Sequence, residues 1–330
     1  MIWSDFTIKN FDKFKSEIKS GILYEGLKKE RKQIKQFLRS HKNNIIITQL
    51  KNTELLDKKI KNFSSVSWVY KKGVEMELNN LDTVYTITWN NNMITVKTTK
   101  EQFEQFKPRI QILVGMIEYL KSITNNIKKH VNVYLVLTKL EKKFPENNSI
   151  MGVKNANTGY TDFSINIIFI WRLEEFEKVL FHELIHYFDL DCRNQHIDMI
   201  DNINGEASHY EAITDFNGIR YYLIYLSLIT QIKISILLGT EFKFIENQAM
   251  QLNNHFGLDD WKIIPNKIIR QETPAFAYYK LKYLLFKNAI NNMIDTTDYN
   301  KLLKDVLYKG FETRKYIKIE SSRMTCLQLK

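Results

Sequence analysis

Only two cysteines, Cys192 and Cys326, occur in the 330 residues, too few for a disulfide framework. Four prolines and eleven glycines exclude a long flexible linker or a glycine-rich repeat. No apolar run has the length and purity of a membrane span. The nearest, YYLIYLSLITQIKISILLG at 221–239, is interrupted by Gln231 and Lys233 and predicts a buried or half-buried helix. The opening MIWSDFTIKNFDKF has no apolar core of signal-peptide length. Together these scarcities predict an intracellular, reducing setting, most simply the cytoplasm.

What is present suits a folded globular chain: 44% of residues are apolar and 13% aromatic. At this length the chain can bury one large core or divide into two domains. Charge is uneven. Residues 1–72 hold seventeen Lys/Arg against seven Asp/Glu, net +10, whereas the whole chain is +11. Such a region could contact nucleic acid, an anionic membrane or an acidic protein; the plainer reading is a solvated face.

Periodicity predicts an α+β fold. GILYEGLKKERKQIKQFLRS, 21–40, suits a basic helix with Ile22, Leu23, Leu27, Ile34, Phe37 and Leu38 inward. NFSSVSWVYKKGVEMEL, 62–78, reads as two short strands around KKG, and 83–99 as a hairpin turning on a run of Asn. Residues 1–100 are thus expected to form a small basic α+β domain, and 101–330 a second domain. In the second, Pro108 opens a helix, VNVYLVL (131–137) and FSINIIFI (163–170) read as strands, and 171–190 reads as a helix. Glu174 and Glu175 are expected in the first turns of that helix, where its dipole favours acids.

This last helix carries FHELIHYFD, 181–189. His182 and His186 are four apart, so about one turn separates them and both imidazoles face one way, as two ligands of one zinc ion must. Glu183, displaced by about 100°, reaches the edge of such an ion and can accept a proton from its water. A pair of structural histidines is the bland alternative. Six residues beyond His186 stands Cys192, without a partner cysteine, and three beyond stands Asp189, where a sharp turn would want glycine. The third ligand is therefore sought in NGEASHYEAITDFNGIR, 204–220, which offers Glu206, His209, Glu211 and Asp215. Glu211 and Asp215 share a helix face; one can bind the metal while the other orients a ligating histidine. Glu211 is preferred, with Glu206 as competitor.

HELIH followed by YEAITDFNG resembles the thermolysin-like and neprilysin-like zinc peptidases, whose pattern is HExxH, a gap, then ExxxD on the next helix. The resemblance covers about residues 160–220. It implies a zincin-like domain with His182, His186 and Glu211 as ligands, Glu183 as general base, and Asp215 supporting His182. The whole sequence is also similar to uncharacterised metallopeptidase-like proteins of large DNA viruses, with an NTGYT-like turn before the active helix and a QETPAFAYYK-like segment after it. A viral source would place the protein in the host cytoplasm or the virion. The chain departs from the peptidase pattern in lacking an Asn-Ala edge motif before the helix and a later motif histidine; His255 stands alone.

A peptide hydrolase also needs a donor for the developing oxyanion. TPAFAYYKLKYLLF, 273–286, predicts a helix from which Tyr278 or Tyr279 could supply a neutral phenol, with Tyr210 as an outsider. FSINIIFI, entered through Asn157–Thr158–Gly159–Tyr160, could be an edge strand to which an extended peptide adds. The expected activity is zinc-dependent hydrolysis of a peptide or protein substrate by metal-activated water. The rivals are an inactive zincin scaffold and a basic protein that binds nucleic acid or an acidic partner through residues 1–72.

Overall fold

The structure is a computed structural model that describes residues 3–51, 53–124, 130–146, 149–191, 203–204, 209–257, 269–291 and 316–330. In chain order, helices α1 (Asp5–Phe14) and α2 (Ile22–Ser40) lead into strand β1 (Ile46–Leu50), then α3 (Glu54–Phe63) and α4 (Lys71–Leu78). Strands β2 (Thr83–Trp89) and β3 (Asn92–Thr98) form a hairpin, followed by α5 (Lys100–Phe106), a single 3-10 turn containing Pro108, and α6 (Ile110–Ile123). Next come β4 (Asn132–Thr138), the short α7 (Val153–Ala156), β5 (Gly159–Asp162), β6 (Ile167–Arg172) and α8 (Phe176–Tyr187). The remainder comprises β7 (Ile203–Asn204), α9 (His209–Thr230), α10 (Ile234–His255), β8 (Ile269–Arg270), a π turn at Ala277–Leu281 and α11 (Lys282–Asn291).

Six strands make one mixed sheet in the order β1-β2-β3-β4-β6-β5. The β3/β4 and β4/β6 pairs are parallel and the others antiparallel. Both faces are covered, which explains why β4 and β6 read as unbroken apolar runs. Val133, Leu135, Leu137, Ile168 and Ile170 join the main core with α6, α8 and α9. The alternate residues Tyr134, Val136, Phe169 and Trp171 face a second cluster containing Ile60, Val74 and Leu78 of α3 and α4.

That second cluster corrects the reading of 62–78 as strands. KKG is no hairpin turn; it opens α4, whose Val74 and Leu78 lie four apart and cover the sheet's far face while Glu75 stays in solvent. The boundary expected at residue 100 falls inside one sheet, because β3 pairs with β4, and α2 sends Leu23, Leu27 and Ile34 into the main core. Ile22, expected inward, is exposed. Residues 221–239 form no single helix: the chain breaks between α9 and α10, with Gln231 left-handed at φ 61°. Among the described residues no helix is long and apolar enough to cross a membrane.

Strand β6 runs from Ile167 to Arg172 and lies inside the sheet, so it is not the edge strand expected at 163–170. The edge is β5, which includes Gly159 and Tyr160 of the expected entry turn. Trp171 and Arg172 belong to β6, and α8 begins only at Phe176. Glu174 and Glu175 are not first-turn acids. Glu175 is the N-cap residue at φ 61°, and its carboxylate accepts from Lys142 Nζ at 2.8 Å and from the backbone N–H groups of Met324 and Thr325, each at 2.6 Å. Glu174 pairs with Arg323 at 2.7 Å.

Every residue of α8 is buried. Its packing on α9 depends on Gly218, where a Cβ would stand 3.0 Å from both the N and Cα of His182. Those are backbone atoms of an enclosed helix, which cannot swing aside. Gly218→Val should lower stability by about 1–3 kcal/mol, read as a lower urea midpoint. Gly26→Ala in α2, where a Cβ meets nothing within 4 Å, should instead raise it by about 0.5–1 kcal/mol.

Candidate metal centre

Two antiparallel helices zip the site together. Lys178, His182 and His186 recur every four residues along α8, and Glu211 and Asp215 lie one turn apart on α9. Asp215, wholly buried, takes His182 Nδ1 at 3.0 Å, Lys282 Nζ at 2.8 Å and Lys178 Nζ. Burial alone would raise its pKa; the charges of Lys178 and Lys282 and the His182 hydrogen bond outweigh that and hold the carboxyl well below the usual carboxylate range. An ionised Asp215 can only accept, so Nδ1 of His182 carries the proton and Nε2 faces the other way.

His186 is oriented likewise. Its Nδ1 lies 2.5 Å from Asp191 Oδ2, and Asp191 is fully buried. The chain returns to this position because Asp189 adopts φ 56° at the end of α8. The turn that seemed to require glycine is thus made by an Asp, one of the few other residues that enter this region readily.

Both Nε2 atoms then converge on Glu211 Oε2, at 3.2 Å from His182 and 3.4 Å from His186. These are ion-pair separations without hydrogen-bond geometry, and among the described residues the buried Oε2 has no hydrogen-bond partner. A tetrahedral ion with bonds of about 2.0–2.1 Å sets its ligand atoms roughly 3.3–3.4 Å apart. Both nitrogen–oxygen separations match that requirement, and all three donor atoms lie within 4.8 Å of one another. Charge gives an independent test. Among the described residues four carboxylates, on Glu183, Asp191, Glu211 and Asp215, face two lysines, Lys178 and Lys282. The formal deficit equals one divalent cation. Without a cation the imidazoles take up protons: burial works to lower the His186 pKa, yet the Glu211 charge and the Asp191 hydrogen bond push it up to about 10. The residues present fit zinc, with two nitrogens and one oxygen and room for a fourth ligand.

A cavity of about 210 Å³ opens onto this cluster, lined by Glu183, Tyr210, Tyr278 and residues of β5. Glu183 Oε2 accepts a 2.8 Å hydrogen bond from Thr161 of that strand. The Tyr278 ring lies 5.9 Å from that of His182, and the residue lines the cavity beside Glu211. Burial first, then the charges of Glu211, Glu183 and Asp215, hold the phenol protonated well above its ordinary range. Tyr210 stacks edge-on to His186 at 6.0 Å. Tyr279 is corrected: it points away from the cavity, fully buried, and donates to the carbonyl of Ser322. Adjacent residues of a helical turn point about 100° apart, so only one of the pair could face the site. His255 bonds the Ser149 carbonyl at 2.7 Å and takes no part. Glu206, Cys192 and the His209 side chain lie outside the described residues.

Sequence reasoning missed Asp191, Thr161, Lys178 and Lys282. Lys178 alone left a signal, four residues before His182 on the same face. Asp191→Asn should weaken zinc affinity about 10–100-fold while leaving the fold intact, measured by competition with a chromophoric chelator. Asp215→Asn should also cost about 3–5 kcal/mol of stability, because two buried ammonium groups lose their counter-charge.

No protein-family model, curated protein or solved structure matches this chain.

Proposed function

We propose that the protein is a zinc-dependent peptide hydrolase of zincin type, as the resemblance to thermolysin-like and neprilysin-like peptidases implies. The observation that carries this reading is the orphaned Glu211 Oε2 between two imidazoles whose other nitrogens are fixed by Asp215 and Asp191. A closed structural zinc site would spend four Cys or His ligands; three ligands including a carboxylate leave a position for reaction. When bound, the zinc ion supplies Lewis acidity, making water more acidic and a carbonyl more electrophilic.

The chain's own residues account for the rest. Thr161 holds one oxygen of Glu183, leaving the other to take a proton from the attacking water and pass it to the departing amine. Tyr278, kept neutral and lining the cavity, can donate its hydroxyl to the oxygen that becomes negative. Among the described residues strand β5 pairs only with β6, so its other edge offers backbone groups to an extended peptide alongside the cavity it lines.

Zinc-loaded protein should cleave members of a peptide library. Glu183→Gln should retain zinc and lose about 10²–10⁴ in kcat, and Tyr278→Phe should retain zinc and lose about 10²–10³. Zinc-loaded wild-type protein that turns over no peptide would leave the inactive scaffold as the correct reading.

A further inference from the structure

Strand β5 sends its side chains to two different environments. Gly159 and Thr161 face α8: a Cβ on Gly159 would stand 2.9 Å from Val179 Cγ1, and Thr161 bonds Glu183. Tyr160, between them, packs against the second core cluster on the sheet's far face. A peptide paired along the free edge repeats this alternation, because cross-strand neighbours project to the same side. Its consecutive side chains therefore meet different walls.

On the α8 side there is little room. The space at Gly159 beside the metal cluster measures about 30 Å³, among Ala156, Thr158, Val179 and Met324. That is on the order of one water molecule. On the far-face side the wall comes from the N-terminal region. The loop between α3 and α4 carries Trp68, which lines the 210 Å³ metal cavity together with Tyr160 and Phe163. Trp68 is 42% exposed and Phe163 40%.

The Trp68 backbone is nevertheless held firmly. Tyr160 donates to the Phe63 carbonyl at 3.1 Å, and Asn157 Nδ2 donates to the Trp68 carbonyl at 3.3 Å. Asn157 Oδ1 in turn accepts from Thr273 at 2.7 Å, next to Pro274 of the opposite cavity wall. Val69 is buried in the second cluster. An exposed tryptophan on so fixed a loop, at the mouth of a cavity, offers a large apolar contact at little cost in side-chain entropy.

We infer that Trp68 is a specificity-determining residue, and that the substrate is an extended peptide with a bulky aromatic side chain against Trp68 and a small one, Gly, Ala or Ser, beside it in sequence and facing α8. The inference rests on the peptide-hydrolase reading for its chemistry, but the recognition belongs to the cleft itself. It brings the N-terminal region into the site through a side chain and not through its positive charge.

Labelled peptides of one polar frame, carrying Phe beside Ala in either order, Ala-Ala or Phe-Phe, test this on the zinc-loaded full chain. Binding is read by fluorescence anisotropy on the Glu183→Gln background, which leaves the peptides uncleaved, and kcat/KM on the wild type. One Phe/Ala order should bind about tenfold tighter than Ala-Ala or Phe-Phe. Trp68→Ala should remove that advantage, leave the Ala-Ala Kd unchanged, and keep the zinc content and urea midpoint of its parent; Trp68→Phe should restore most of the advantage. Met76→Ala, 68% exposed on α4, should change nothing. The inference is overturned by a preference that survives Trp68→Ala, by equal losses on all peptides, by Phe-Phe binding as tightly as the mixed pair, or by no peptide binding at all. Wild-type protein that binds with this preference yet cleaves none of the peptides would sink the hydrolase reading and keep the recognition; cleavage without the preference would do the reverse.

Discussion

Asp215 is the constraint on which the site depends. A single carboxylate on α9 with no solvent contact holds two buried ammonium groups and an imidazole from two other elements: Lys178 and His182 of α8, and Lys282 at the start of α11. Buried charges are tolerated only when every partner is in place, so none of these elements can shift without leaving an uncompensated ion. That requirement fixes the tautomer and tilt of His182, and with them the direction in which Nε2 faces Glu211. Gly218, one turn further along α9, permits the close approach that makes the contacts reachable. The geometry around the imidazoles thus follows from charge compensation beneath them.

The same economy explains which parts of the site were legible in the sequence. His182 and His186 stand four apart on α8 and Glu211 and Asp215 four apart on α9, so a period of 3.6 residues aligns each pair without tertiary information, and Glu183 is found by its place beside His182. Asp191 and Thr161 do not share that period with their partners. Asp191 reaches His186 only because Asp189 reverses the chain, and Thr161 reaches Glu183 only because β5 lies at the sheet edge beside α8. Neither fact is local. Tyr278 and Tyr279 are indistinguishable in sequence because both suit a helix; only the packed structure shows Tyr278 at the cavity and Tyr279 bonded to the Ser322 carbonyl.

The misread elements have a common physical cause. KKG in 62–78 looks like a turn between strands, but the far face of the sheet had to be covered, and an amphipathic helix covers it with Val74 and Leu78. Glu174 and Glu175 look like acids favouring a helix start, yet their partners are Lys142, Arg323 and the backbone at Met324 and Thr325, about 30 to 150 residues away. The hairpin at 83–98 was legible because its register is set within fifteen residues. Tertiary demand overrode local pattern wherever the deciding contact was distant.

One consequence concerns the basic N-terminal region. Thr7 of α1 donates to the carbonyl of Cys326 at 2.8 Å, and Gln328 returns a backbone N–H to Thr7 at 2.9 Å. The segment that makes these bonds also donates to Glu175 at the head of α8 and, through Thr325, to Glu241 of α10. The N-terminal helix therefore braces the strap that seats the metal-binding helix. Removing residues 1–72 would strip Phe14, Leu23, Leu27 and Ile34 from the main core along with the positive charge. Loss of any function after such a deletion would report collapse of one cooperative unit. The charge of this region can be separated from its packing only at exposed positions such as Lys29, Lys32 and Lys35, where the side chain reaches solvent and the helix beneath remains whole.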